Sequence, residues 1–228
     1  ECWKTSSLRM RGQVCHTARM ITLKSSKASK PVEVRCEDNL REQGQWLADT
    51  IAEFEARGRA LDDGVAVQVG WTTFVLRQQP EGSLRVCEPD YAADPFKTLR
   101  PEVTTSLTVL VAQMDLVRAM LTEPMPCRFD QKLVVRKGAL DEARIFANRQ
   151  PPNGDDSGWY IGPAHDGRPA PPPKAEDLES MRLYQLLQRR PAILYAMALP
   201  PGYTVVWNGH TIEALADPQG QNQWHPPR

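Results

Sequence analysis

Arg149 is followed within one short stretch by two carboxylates, a hydroxyl and an indole: Asp155, Asp156, Ser157 and Trp159. Converging in a pocket, Arg149, Asp155, Asp156 and Trp159 can hold a small polar ligand or set an acid against a base. As a nucleophile, Ser157 has weak support, because Asp156-Ser157-Gly158 lacks the first glycine of Gly-x-Ser-x-Gly. The plainer reading is a turn that delivers Trp159 and Tyr160 into a strand, where the aromatics pack. A second group, Glu88-Pro89-Asp90 with Asp94, can hold a cation or face a basic partner. Carboxylates beside proline equally cap turns.

Metal and phosphate chemistry find little here. No Cys-x-x-Cys or His-Glu-x-x-His pattern exists, and no glycine-rich loop ends in a phosphate-binding lysine. Cys15-His16 is an adjacent pair in a tail-like stretch, and His16, His165, His210 and His225 all fall in expected tail, loop or turn. The expectation is no metal, no cofactor and no catalytic residue.

The elements that must position these groups are legible from periodicity. Residues 1–30 are rich in Ser, Lys and Arg without apolar period, and read as a basic, disordered tail. A nucleic-acid arm is the alternative, but aromatic interleaving is missing apart from Trp3. Leu40, Leu47, Ile51 and Phe54 predict a helix over 37–59, capped by Asp38 or Asn39, with Glu42, Asp49, Glu53 and Glu55 outward. Alternation at Val65, Val67 and Val69, over 73–77 and over 84–88 predicts strands, with a turn at Gln79-Pro80-Glu81-Gly82. A second helix spans 104–121, closed by Pro124 and Pro126.

Beyond Phe129, strands are expected at 133–135, 143–147 and 158–161, then a proline-rich loop over 162–173. A helix is expected over 175–190 on the apolar positions Leu178, Met181, Leu183, Leu186 and Leu187. Asn208-Gly209 is a two-residue hairpin turn between strands at 203–207 and 211–213. The fold class is α+β: two small subdomains, each a short, mostly antiparallel sheet packed with one or two helices. They are placed at 31–128 and 129–216, with a flexible tail at 217–228.

Length and charge bound the function. At 228 residues with 41 % hydrophobic and 25 % charged residues, the chain suits one large domain or two small ones. No apolar run approaches the roughly 18 residues of a membrane span. The zero net charge conceals a pattern. Residues 1–30 carry seven Lys and Arg against one acid (+6), 31–130 carry ten against seventeen (−7), and 131–228 eleven against ten (+1). An acidic middle unit favours a basic partner. Cys2, Cys15, Cys36, Cys87 and Cys127 form an odd, scattered set, which reads as reduced thiols in a cytoplasmic compartment. The opening residues lack the order of a secretory signal, and the chain does not start with Met, which leaves a signal removed earlier open.

In the C-terminal half, Asn148-Arg149 is followed by Asp156-Ser157-Gly158-Trp159, a Leu-rich stretch before Arg190-Pro191, and Leu199-Pro200-Pro201-Gly202-Tyr203. This succession resembles the immunity protein 33 domain of bacterial polymorphic toxin systems. The resemblance covers roughly Phe129 to Leu215. In that family a strand ending near an Arg leads to the Asp-Ser-Gly-Trp turn, a helix and a final strand pair. The unit before it, with Gln68-x-Gly70-Trp71 and Cys87-Glu88-Pro89-Asp90-Tyr91, looks like the region that accompanies the domain in longer members. The chain departs from the family in the proline-rich insertion after Gly162, where shorter members carry an acidic run, so no surface residue is carried over from that loop.

The family is defined largely by its placement beside toxin genes. The resemblance therefore implies an immunity protein, not an enzyme, that neutralises a cognate secreted effector or polymorphic toxin by stoichiometric docking, with type VI secretion as one route of delivery. Candidate contacts are Glu42, Asp49, Glu53, Glu55, Glu88, Asp90, Asp94, Asp155, Asp156 and Trp159, facing a basic, nucleic-acid-targeting toxin; direct binding of nucleic acid or membrane is not expected. The alternative is a ligand-binding or enzymatic α+β domain with its site at Arg149, Asp156 and Trp159.

Overall fold

Ile21 and Leu23, then Val32, Val34 and Cys36, alternate with polar neighbours. This period of two folds them into an antiparallel pair, β1 (Met20–Ser25) and β2 (Val32–Glu37). The computed structural model describes residues 19–164 and 173–224. It thus corrects the expected tail: residues 20–25 are an edge strand. Residues 1–18 of that tail, with Cys2, Trp3, Cys15 and His16, lie outside the described residues. So do residues 165–172 of the proline-rich loop, with His165, and 225–228, with His225.

The first sheet continues with β3 (Ala66–Val69), β4 (Thr72–Gln78), β5 (Leu84–Pro89) and the short β6 (Leu99–Arg100). Its order is β1-β2-β5-β4-β3, with β6 on β5, and only β2 and β5 run parallel among its pairs. Helix α1 (Arg41–Ala56) lies against β1 and β2 and brings Leu47, Ala48, Ile51 and Ala52 into one core with Val34, Phe74, Leu76 and Val86. A Cβ at Gly44 would sit 2.6 Å from Leu23 and 2.8 Å from the Cys36 sulfur, so the missing side chain sets how closely α1 lies on β1 and β2. Neither expected cap serves α1. A 3₁₀ turn, Asp38–Leu40, leads into it, and the Asp38 carboxylate pairs with Arg41 at 2.6 Å instead.

Helix α2 (Thr104–Ala119) is shared. Val103 and Leu107 enter the first core, whereas Val109, Leu116, Val117 and Met120 enter the second, and Leu110 packs against both. The second sheet has the order β10-β7-β9-β8-β11-β12, and β7 and β9 form its one parallel pair. Its strands are β7 (Lys132–Arg136), β8 (Arg144–Arg149), β9 (Asp156–Pro163), β10 (Leu178–Arg182), β11 (Thr204–Asn208) and β12 (Thr211–Ala216). Two mixed, mainly antiparallel sheets with a few helices make the class α+β, as expected.

The helix expected over 175–190 is corrected. Residues 178–182 pair with the edge of β7 in five register positions, from Leu178 with Arg136 to Arg182 with Lys132. Only Leu186–Arg189 remains α-helical, as α3, after a 3₁₀ turn at Leu183–Gln185. A strand edge offering unpaired backbone groups outweighs local helix propensity here. The described part of the expected C-terminal tail is also folded. The Gln223 N–H donates to the Leu215 carbonyl at 2.9 Å, and Trp224 packs against the second core.

Candidate functional site

Arg149 closes β8 and is buried, and among the described residues no carboxylate pairs with it. Its Nε donates to the Ser157 carbonyl at 3.2 Å, and one Nη donates to the carbonyls of Met125 and Leu199. The guanidinium lies 5.8 Å from the Trp159 ring centre. Burial lowers its pKa, but three carbonyls share the charge and keep it a structural cation. Arg190 repeats the device at the other end of β8, donating to the carbonyls of Glu142, Ala143 and Gly209. The two arginines are internal staples for the linker before β7, the turn into β9 and the β11–β12 hairpin.

The Asp-Ser-Gly-Trp turn serves the same assembly. The Asp156 carboxylate accepts the Gly158 N–H at 2.8 Å, and the Gly158 carbonyl accepts the Gln150 N–H at 2.8 Å. Gly158 has φ +80° and a Cβ there would lie 2.0 Å from the Gln150 carbonyl oxygen, so only glycine fits. Ser157 is buried and its hydroxyl accepts the Trp159 N–H at 3.4 Å, which is a turn contact, not a nucleophile beside a base. Arg149, Asp156 and Trp159 are therefore brought together, but around backbone. Asp155 alone projects outward, 3.8 Å from Arg128.

Glu88 is fully buried at the start of α2, where its carboxylate accepts the Ser106 N–H at 2.7 Å. The Ser106 hydroxyl bonds Tyr91 at 3.1 Å, Tyr91 bonds Thr72 at 2.5 Å, and Trp71 Nε1 donates to the Ser106 carbonyl at 3.1 Å. Burial pushes the Glu88 carboxyl up to about 7, and Glu102 adds to the rise. Asp90 and Asp94 cap turns, accepting the N–H groups of Ala92 at 3.1 Å and Phe96 at 3.0 Å. Of the ten predicted contacts, Glu88 and Trp159 thus have no surface to offer a partner.

The acids of α1 face outward as expected, but they are met by the loop between β1 and β2. Lys27 Nζ lies 3.3 Å from Asp49 and 3.2 Å from Glu53, and Glu55 accepts the N–H and hydroxyl of Ser29 at 2.5 and 2.6 Å. Lys30 reaches Asp62 at 2.6 Å and Lys24 reaches Glu33 at 2.5 Å. The basic and acidic stretches of sequence partly neutralise each other in space. Glu42 has no charged partner among the described residues.

A side-chain feature that sequence reasoning missed sits after α2. Leu121 takes φ +48° in the left-handed region, where its N–H donates to Arg118 and that of Thr122 to Val117, closing the helix. Leu121 is 96 % exposed and Met125, between two prolines, is 42 % exposed. The signal was available: apolar residues set among prolines directly after a helix stop. A shallow groove of about 380 Å³, lined by Thr73, Val75, Pro89, Phe96, Leu99 and Phe129, opens elsewhere, and none of the ten predicted residues lines it. Among the described residues no cluster of three His, Cys, Asp or Glu is placed to hold a metal, and no helix is long and apolar enough to cross a membrane.

No curated protein and no solved structure matches this chain. The arginine staples, the Asp-Ser-Gly-Trp turn and the second sheet fall in a segment with a recognised family likeness: residues 112–217, the C-terminal half of the chain, match the family model of the Imm33-like domain.

Proposed function

We propose that this protein is an immunity protein that neutralises a cognate toxin by stoichiometric docking and performs no chemistry of its own. The observation that carries the reading is the match of residues 112–217 to the Imm33-like domain. The destination of the polar groups supports it. Arg149, Asp156, Ser157 and Glu88 satisfy backbone and core hydrogen bonds and do not converge on a pocket, which weighs against the ligand-site alternative. The partner is a secreted effector or polymorphic toxin met in the cytoplasm, including one delivered by type VI secretion. Outward carboxylates, Glu42, Asp49, Glu53, Glu55, Asp94 and Asp155, steer a basic, nucleic-acid-targeting toxin domain toward this surface.

The test is expression of the protein encoded by the adjacent gene, alone and together with this chain. Growth arrest relieved by co-expression, with a one-to-one complex on size-exclusion chromatography, is the expected result. Arrest that persists with no complex formed rejects the reading. Association that slows with added salt, and less steeply in a Glu42→Lys and Asp155→Lys variant, is the signature of the steering carboxylates.

A further inference from the structure

The backbone around Met125 is held from behind. Its N–H donates to the Ala198 carbonyl at 2.8 Å, and its own carbonyl accepts from the buried Arg149. With both backbone groups turned inward, the side chain projects outward between Pro124 and Pro126, whose fixed φ angles stiffen the segment. Leu121 opens the same segment, exposed and left-handed, a conformation that glycine adopts without strain and leucine does not. Folding gains nothing from a leucine there: it buries no apolar area and strains the chain. A strained, exposed, apolar residue on a braced backbone is what a binding hot spot requires before its partner arrives.

We propose that Leu121 and Met125 form the apolar anchor by which this chain docks into a hydrophobic pocket of its toxin, a pocket with a Lys or Arg on its rim. The charge requirement comes from Glu123. It is exposed between the two anchors and has no charged partner among the described residues, whereas neighbouring Asp115 faces Arg118 at 3.5 Å. A cation on the pocket rim is its complement; an anionic lipid surface would repel it. The proposal rests on the immunity reading and adds the contact to it.

The experiment measures binding of the adjacent-gene toxin to the full chain and to variants at these positions, with thermal melts of each. Leu121→Gly relieves the left-handed strain and is expected to raise Tm by about 2–4 °C, while weakening toxin binding about tenfold or more. Met125→Ser is expected to weaken binding similarly with an unchanged melt, and Glu123→Lys to slow association and flatten its salt dependence. A more stable protein that binds less well is a result that a purely structural role for Leu121 does not produce. Toxin binding within about twofold of wild type in Leu121→Gly and Met125→Ser would overturn the anchor and leave the immunity reading standing. Failure of the wild-type chain to bind the toxin overturns both. Self-association of the chain that disappears in Leu121→Gly overturns the proposal in favour of a second copy as the occupant.

Discussion

The Glu88 carboxylate accepts the Ser106 N–H at 2.7 Å, which places an acid inside the core at the first turn of α2. Its pKa stands at about 7, above the ordinary carboxylate value of 4.5, so the folded state binds the proton more tightly than the unfolded chain. The stability this group contributes is fully present below pH 4.5 and lost as pH rises through about 7. The loss is of order 3 kcal/mol. Urea unfolding of wild type is expected to show that decline between pH 5 and 8. Glu88→Gln keeps an oxygen to accept the Ser106 N–H and should remove the decline; a variant with the same pH slope would refute the assignment.

Arg149 supplies the second prediction. Arg149→Met leaves the carbonyls of Met125, Ser157 and Leu199 without their donor and should destabilise the fold by about 3 kcal/mol. Arg149→Lys, with a single ammonium for three divergent acceptors, should fall between that variant and wild type. Chemical denaturation of the three proteins decides it. Wild-type stability in Arg149→Met would mean that the staple is dispensable.

Gly158 and Gly138 form a matched pair. Both have positive φ (+80° and +79°), but nothing lies within 4 Å of a Cβ at Gly138, whereas at Gly158 the Gln150 carbonyl is in the way. Gly138→Ala should lose about 1 kcal/mol from backbone strain alone. Gly158→Ala should lose at least about 2 kcal/mol more from the clash. Equal thermal shifts in the two variants would argue that the backbone at Gly158 moves aside freely.

Thiol reactivity is the fourth. Cys36, Cys87 and Cys127 are buried and free, and burial pushes Cys36 and Cys127 up to about 11. A thiol held neutral and out of solvent is a poor nucleophile. Maleimide labelling mapped by mass spectrometry should leave these three unmodified in the folded protein and modify them in urea. Prompt labelling of Cys127 under native conditions would show that its surroundings open readily.

What could be read in advance follows the range of the interactions. Helices α1 and α2, the strands β3 to β5 and the hairpin at Asn208-Gly209 announce themselves through period and turn residues, which are local. The pair β1–β2 carries alternation too, Ile21 and Leu23 against Val32 and Val34, but Lys24, Ser25, Ser26 and Lys27 gave that stretch the composition of a tail. Strand β10 was hidden because Leu178, Met181 and Leu183 also fit a helical face, and only the unpaired edge of β7, distant in sequence, decides between them. At the candidate site the motif residues were visible, but not their destinations. Arg149 looks like a ligand-binding cation until its partners prove to be carbonyls at 125, 157 and 199, and Glu88 looks like a surface acid until α2 closes over it.

Helix α2, with sixteen residues, spans about 24 Å and belongs to both cores at once. The family likeness starts at residue 112, halfway along it. The stretch that matches the family model therefore begins inside a helix that both cores share. A chimaera joined at residue 112 would have to bring two half-helices together in phase, since one residue added or lost at the joint turns every later side chain by about 100°. By the same arithmetic, a junction placed in the turn before Thr104 preserves the register of Val109, Leu116 and Val117, and one placed at the likeness boundary does not protect it.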